Sequence, residues 1–310
     1  MLNMQKKILI TGANGFIGSN IISEFMANNT PITAMVREKS SIDYLKSIKC
    51  YNIIQTDNYL DPIVIRKLNM SKPEYIVHCA WANNQLKDTK NLINILELAK
   101  NINCKGIITI GSYEEYGKLE KNLSEDTICS PKNSYARSKN AFYMLTKEIC
   151  SSLDIKHIHL RLGIPYSNKK DNNFYFNDII KRIYKDELVL LKNIYDIQDY
   201  IHTSDIARGI VSIINNDLEG LFNLSFGQGV EIKSVLNMIY EKLNKKIIFD
   251  ESSSLEKNIF NLNINKIYSQ SNWKPSISIW DGISLLIQEV KFNNNPTLEQ
   301  FTTRIRSLYK

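Results

Sequence analysis

Short apolar runs and stretches of helical period alternate along the first half of the chain. Residues 7–11, 31–36, 51–56, 75–79, 106–110 and 155–162 are compact and largely apolar, which predicts strands buried on both faces. Between them lie helical stretches: residues 17–28, a segment opened by Asp61-Pro62, the stretch carrying Leu92, Ile95, Leu96 and Leu98, and residues 134–153. Pro62 suits a helix start, because the first turn has no use for the missing N–H. Strand and helix in regular alternation predict an α/β fold, a doubly wound parallel sheet. After residue 165 the alternation loosens. A polar loop (168–173), a helix (176–186) and a short strand (188–191) come first. A helix at 204–214, a strand at 221–224 and a helix at 232–243 follow. A strand at 247–249, a mostly polar loop at 252–257 and a last helix at 279–290 complete the chain. This C-terminal part reads as a smaller α/β layer over the sheet's edge.

The 310 residues suffice for one large or two unequal domains, and 43% hydrophobic with 23% charged residues is ordinary for a soluble globular protein. The net charge of +7 is spread along the chain with no dense basic block or basic-aromatic stripe, which argues against a nucleic-acid partner. A mild positive field suits an anionic small molecule, and a residue usage rich in Lys, Asn and Ile explains it equally well. Five cysteines form no C-x-x-C pair and are odd in number, so reduced thiols in a cytoplasmic protein are expected. Residues 1–7 lead straight into a strand without a signal-peptide pattern, and no apolar run approaches the ~20 residues that span a bilayer. The expectation is a cytoplasmic protein without membrane insertion.

Chemistry enters at the strand ends. The first strand meets Gly12-Ala13-Asn14-Gly15-Phe16-Ile17-Gly18 and then a helix, the context in which a glycine turn binds a dinucleotide. Gly12 allows the tight turn, Gly15 lets backbone N–H groups approach a pyrophosphate, and Gly18 lets the helix pack close on the strand. The second strand ends in Arg37 rather than an acidic residue that would hold ribose hydroxyls. Arg37 therefore offers a partner for a 2′-phosphate, which favours NADP(H) over NAD(H); a solvated strand-end arginine is the bland alternative. The third strand delivers Asp57 and the fourth Ala80-Trp81. The fifth ends in Gly111-Ser112, at the carboxyl edge where open parallel sheets bind ligands. Tyr135 and Lys139 lie four apart on one helix face. An ammonium beside the phenol would lower its pKa and make Tyr135 a proton donor or acceptor, while Ser112 could hold a substrate oxygen. His157 and His159 share one side of a strand; with no third ligand in view, ordinary strand residues are the simpler reading than a metal site.

Together, Thr11-Gly12-Ala13-Asn14-Gly15-Phe16-Ile17-Gly18, Asp57, Gly111-Ser112, Tyr116-Gly117 and Tyr135-Ala136-Arg137-Ser138-Lys139 resemble the extended short-chain dehydrogenase/reductase family that modifies nucleotide sugars. Leu160-Arg161, Pro165-Tyr166, Asp199-Tyr200-Ile201-His202 with Asp205, and Trp273-Lys274-Pro275 extend the resemblance over nearly the whole length. It implies a six- or seven-stranded Rossmann domain (1–165 plus about 196–218) and a smaller nucleotide-sugar-binding domain (about 166–195 and 219–310). It also implies Tyr135 as acid/base, Lys139 as the group that lowers its pKa and holds the nicotinamide ribose, and Ser112 on the sugar oxygen. Cofactor contacts would come from Gly12, Gly15, Phe16, Ile17, Gly18, Arg37, Asp57, Ala80, Tyr135, Lys139 and Pro165. The nucleotide-diphosphate sugar would meet Ser112, Tyr113, Tyr135 and Asn173. A homodimer through the Tyr135 helix and its neighbour is part of the same expectation.

The window Gly111-Ser112-Tyr113-Glu114-Glu115-Tyr116-Gly117 bears on the reaction. Glu114 matches the glutamate of the family's 4,6-dehydratases, but Tyr113 replaces that glutamate's partner. The window is most similar to reductases of nucleotide-linked 4-keto-6-deoxyhexoses, and Arg37 agrees with NADPH. The expected function is thus NADPH-dependent reduction of a 4-keto sugar nucleotide for surface-polysaccharide synthesis. An NAD-dependent 4-epimerase or dehydrogenase is the enzymatic alternative, and an NADP-binding sensor or scaffold the non-enzymatic one. Glu114 and Glu115 read as solvated loop carboxylates. Gln198 stands where the family often has an arginine against the diphosphate, and 252–265 holds no arginine.

Overall fold

The computed structural model describes residues 6–50, 52–117, 122–167, 175–189, 191, 193–246 and 258–294. Its strands are β1 (Ile8–Thr11), β2 (Ile32–Val36), β3 (Ile53–Gln55), β4 (Tyr75–His78), β5 (Gly106–Ser112), β6 (Lys156–Leu162), β7 (Ile164–Tyr166), β8 (Ile197–His202), β9 (Gly220–Leu224) and β10 (Gly229–Glu231). Seven of them form one parallel sheet in the order β3-β2-β1-β4-β5-β6-β9. The other three form a small sheet, β10-β8-β7, in which β7 and β8 are parallel and β10 antiparallel. The helices are α1 (Phe16–Ala27), α2 (Asp43–Ser47), α3 (Pro62–Ser71), α4 (Gln85–Asn101), α5 (Ser134–Ser152), α6 (Tyr175–Tyr184), α7 (Thr203–Asn215), α8 (Ile232–Leu243), α9 (Asn265–Ser271) and α10 (Ile279–Asn294). No described helix is long and apolar enough to cross a membrane.

The apolar runs form strands because the large sheet is covered on both faces. Ile8 and Ile10 turn to one side and pack with Phe25 of α1 and Ile206 and Ile210 of α7. Leu9 turns to the other and packs with Leu68, Leu92 and Ile95 of α3 and α4. Side-chain caps set the helix starts: Asp61 accepts from Ile63 N–H at 2.7 Å, and Asn133 from Ala136 N–H at 2.8 Å. The second cap fixes the register of α5 and so the direction of Tyr135. A separate core joins Tyr166 and Tyr200 of the small sheet to Ile179, Val235, Ile239 and Ile283 of α6, α8 and α10.

The structure redraws the expected division at two strands. β9, expected in the smaller unit, is the seventh strand of the large sheet; Leu221, Phe222 and Leu224 are buried there beside β6. β8, expected with the larger unit, pairs with β7 and β10 instead. The expected strand at 188–191 does not form: Leu188, Val189 and Leu191 are irregular, and Leu190 lies outside the described residues. The loops at 168–173 and 252–257 and the strand at 247–249 also lie outside them.

Candidate active site

Two cavities open at the carboxyl ends of the large sheet and meet at Cys79, Ala80 and Trp81, just after β4. β1 has β2 on one side and β4 on the other, so the order reverses there, at the place where doubly wound sheets bind ligands.

The first cavity, of about 920 Å³, is lined by Gly12, Gly15, Arg37, Lys39, Asp57 and Lys87 among others. Gly12 has φ +64°, and a Cβ there would lie 2.6 Å from Ala80 N, so only glycine brings the turn this close to the strand-four loop. Gly18 cannot carry a Cβ either, because the Gly12 carbonyl occupies the space. Gly15 is the N-cap of α1, and the first turn has neither a side-chain cap nor an acidic residue. A helix start of this kind suits a pyrophosphate. Arg37, Lys39 and Asp57 are exposed and line the same cavity. Neither Phe16 nor Gly18 lines either of these cavities: Gly18 is buried beneath the turn, and Phe16 is the first residue of α1.

The second cavity, of about 640 Å³, contains Ser112, Tyr113, Glu114, Tyr135, Lys139 and Pro165, together with Ile17. The strand end, the turn after it and α5 thus converge as expected. Ser112 is the N-cap of the 3-10 turn Tyr113–Tyr116, and its hydroxyl accepts from Glu114 N–H at 3.2 Å. Asn133 links this turn to α5: its Nδ2 donates to Glu114 Oε2 at 2.7 Å while its Oδ1 caps the helix. Tyr113 stacks on Phe260, with centroids 4.0 Å apart and rings 3° from parallel. Gln198 lines the same cavity and accepts from the Tyr200 hydroxyl at 2.9 Å. Asn173 lies outside the described residues.

Two electrostatic expectations are corrected. The Lys139 ammonium is directed away from the phenol, which stays above its ordinary value. Its Nζ donates to the Ile110 carbonyl at 2.8 Å and lies 3.7 Å from the Trp81 ring centroid, against 5.7 Å from that of Tyr135. Burial pushes Tyr135 up to about 12, with Glu114 adding to the rise and a hydrogen bond with Ser112 opposing it. Burial also draws Lys139 down to about 8, against the pull of Glu115. The second correction is Glu115, which is no solvated carboxylate. It is fully buried and ion-paired with Arg161 Nε at 3.0 Å, because the 3-10 turn points it inward beneath β5 and β6.

Sequence reasoning also passed over Trp81. Its loop is tied down by buried Asp88, which accepts from Ala82 N–H at 2.7 Å and Asn84 N–H at 2.9 Å. The indole lies edge-on to Tyr135 and Phe142, and its buried Nε1 has no hydrogen-bond partner among the described residues. An aromatic directly after a strand-end Ala was the only signal in the sequence. His157 and His159 find ordinary polar partners: both lie within 2.9 Å of Thr109 Oγ1.

The family model described as "NAD dependent epimerase/dehydratase family" matches residues 8–225. Over 312 residues, 92% of this chain and 97% of the relative, the sequence is 27% identical to dTDP-4-dehydro-6-deoxyglucose reductase of Escherichia coli. It is 23% identical to CDP-abequose synthase of Salmonella muenchen, over 93% of this chain and 99% of that one. Among solved structures, dTDP-glucose 4,6-dehydratase from Bacillus anthracis, in complex with NAD, superposes with a TM-score of 0.82 at 18% identity, covering 93% of this chain and 97% of that one. The fold is thus a Rossmann-like α/β fold.

Proposed function

The chain belongs to the NAD dependent epimerase/dehydratase family, and from that premise we propose that it reduces the 4-keto group of a nucleotide-linked 6-deoxy sugar with NADPH. It is an enzyme of the nucleotide-sugar-modifying branch of the short-chain dehydrogenases/reductases. The observation that carries the finer reading is the junction of the two cavities: Arg37 and Lys39 at the far end of one, Ser112, Tyr135 and Lys139 in the other. The glycine turn, uncapped helix start and exposed cations fit a dinucleotide with an added phosphate. Gly12, Gly15, Arg37 and Asp57 would hold its adenosine and phosphate end, with Ala80, Lys139 and Pro165 toward the nicotinamide. When bound, the nicotinamide supplies the hydride.

The protein's part is alignment and the proton. With its pKa pushed up to about 12, Tyr135 stays protonated at neutral pH, the state a reductase needs in order to protonate the ketone oxygen. The phenolate left behind needs a cation, and Lys139 is the one described cation lining this cavity. The Ser112 hydroxyl donates to the same oxygen as charge builds on it. Tyr113, flat against Phe260, offers an aromatic wall where a dehydratase would carry an acid or a serine. Similarity to a 4-dehydro-6-deoxyglucose reductase supports the same choice. We place the sugar nucleotide against the small sheet and α6. Two copies are proposed to pair through α4 and α5, which expose Leu86, Ile93, Met144 and Leu145; light scattering in solution reads the mass.

The test is NADPH consumption with dTDP-4-dehydro-6-deoxyglucose and its GDP- and CDP-linked counterparts. Turnover with NADPH in preference to NADH supports the reading. Stoichiometric NAD retained through purification, with no net consumption of NADPH, overturns it in favour of an epimerase.

A further inference from the structure

Beneath Ser112 lies a buried polar cluster that the proton transfer proposed above does not use. Glu115 is 0% exposed, and Arg161 and His159 are each 2% exposed. The Glu115 carboxylate accepts from the backbone N–H of Ser112 at 2.8 Å and from Arg161 Nε at 3.0 Å. His159 Nε2 lies 3.1 and 3.2 Å from its two oxygens. The cluster continues from His159 Nδ1 to Thr109 Oγ1 at 2.8 Å, and from there to His157 Nε2 at 2.9 Å. The Arg161 guanidinium in turn lies over the rings of Tyr116 and Tyr143, at 4.5 and 5.6 Å from their centroids.

This arrangement costs more than a solvated loop would. A carboxylate removed from water is expensive unless it is paired and hydrogen-bonded, and here each oxygen has at least one donor. Despite its burial, Glu115 is held down to about 2 by His159 and Arg161 together with the Ser112 amide. β5 also has to make room. A Cβ on Gly111 would collide with both His159 Nε2 and Glu115 Oε1, so glycine stands next to Ser112 because the ion pair lies against the strand there. A buried ion pair alone argues little, since apolar groups often replace one without loss of stability. What distinguishes this one is its third partner. The carboxylate holds the peptide N–H of the residue whose hydroxyl lines the cavity, and closes a capping box with it. Tilting that peptide would swing the Ser112 hydroxyl.

We propose that Glu115, anchored by Arg161 and His159, is the positioning residue for Ser112, fixing the hydroxyl that holds the substrate's ketone oxygen. The inference rests on the reading of Ser112 given above. Turnover is sensitive to small misplacements of such a group, whereas binding of the rest of the sugar nucleotide is not.

The experiment is a double-mutant cycle on NADPH-dependent reduction of dTDP-4-dehydro-6-deoxyglucose with Ser112→Ala, Glu115→Gln and the pair. Glu115→Gln is expected to lower kcat about 10- to 100-fold with KM changed less than about threefold. In the Ser112→Ala background the same substitution should change kcat by less than about threefold, because the hydroxyl it positions is gone. An equal loss in both backgrounds overturns the inference alone and leaves Glu115 a support of the fold. Wild-type kcat in Ser112→Ala overturns the reading of the site, and this inference with it. His159→Gln keeps the Glu115–Arg161 pair and carries the same cycle if Glu115→Gln does not fold. A crystal structure of either variant reads the geometry without substrate. Displacement of Ser112 Oγ by about 0.5 Å or more relative to Tyr135 is expected, and an unmoved hydroxyl overturns the proposal.

Discussion

The two cavities that meet at Trp81 are built in opposite ways. In the cofactor cavity, Gly12, Arg37, Asp57 and Ala80 each stand within three residues of the end of their own strand, and Arg37, Lys39 and Asp57 are exposed. In the substrate cavity, Tyr113 leans on Phe260, Lys139 reaches Ile110, and Ser112 is held through Glu115 to Arg161. The first presents backbone and solvated charge, which suits the anionic dinucleotide proposed for it. The second sets protons and hydroxyls with groups taken out of water. Taken out of water, the Glu115 carboxylate and the Lys139 ammonium acquire shifted pKa values and fixed directions.

The sharpest way to break that contrast is Tyr135→Phe. If the half-buried phenol is the proton donor, kcat falls by roughly 10²- to 10⁴-fold while NADPH affinity stays within about twofold. Single-turnover kinetics and a binding titration read the two numbers separately. Near-normal turnover would remove Tyr135 from the mechanism and require another group lining the cavity to supply the proton.

On the cofactor side, Arg37→Ala should weaken NADPH by about 10- to 100-fold, the scale of a charge-assisted contact to phosphate, and NADH by less than about twofold. Rising salt should shrink the difference, since the guanidinium is solvated. Equal loss for both dinucleotides would mean that Arg37 does not read the 2′-phosphate.

Most of the fold and the cofactor cavity were legible because strand ends and glycine turns carry their meaning locally. The strand limits at β1, β4 and β6 came within a residue of the observed ones, and Ser112 stood at the predicted edge. What was not legible depends on distant partners. Glu115 and Glu114 are neighbours of identical type; only the turn after β5 sends one toward Arg161, 46 residues on, and leaves the other beside Asn133. The apolar run of β9 looked like the start of a second unit because nothing in five residues says which sheet edge is free. The direction of the Lys139 ammonium relative to the Tyr135 phenol was hidden for a related reason. Spacing puts them on one helix face, but Ile110 and Trp81 decide where the ammonium goes.

Two buried carboxylates sharpen the contrast through stability. Glu115 is shifted from an ordinary 4.5 down to about 2, so its contribution is fully present above pH ~4.5 and is lost as pH falls toward 2. Asp199 is shifted the other way, from 3.8 to about 7, because burial outweighs the hydrogen bonds from the Leu262 and Gly227 amides. Its protonated form is favoured in the folded state, so this contribution is present below pH ~3.8 and is lost as pH rises through about 7. Thermal midpoints measured across pH 3 to 8, on the order of the windows these shifts define, should be highest between the two limbs. Glu115→Gln should flatten the acid limb and Asp199→Asn the neutral one. An acid limb that persists unchanged in Glu115→Gln would mean the carboxylate is not held ionised.

The smallest effect is expected where the two cavities meet, at Trp81, which both share along with Cys79 and Ala80. Its ring faces the Lys139 ammonium at 3.7 Å, and its buried Nε1–H, without a partner among the described residues, is a donor left over at the junction the proposed dinucleotide would cross. Trp81→Phe keeps an aromatic face over the lysine, weakens the cation–π attraction and deletes that donor. One neutral hydrogen bond is worth a few-fold in affinity, so NADPH binding should weaken about three- to tenfold, with Tyr135-dependent chemistry still running. The other tryptophans, Trp273 and Trp280, line neither cavity, so the drop in indole fluorescence on adding NADPH should come mainly from Trp81 and largely vanish in the variant. Unchanged affinity together with unchanged quenching would mean that the cofactor passes this indole without touching it. The two cavities would then be joined by the backbone of Cys79 and Ala80 alone.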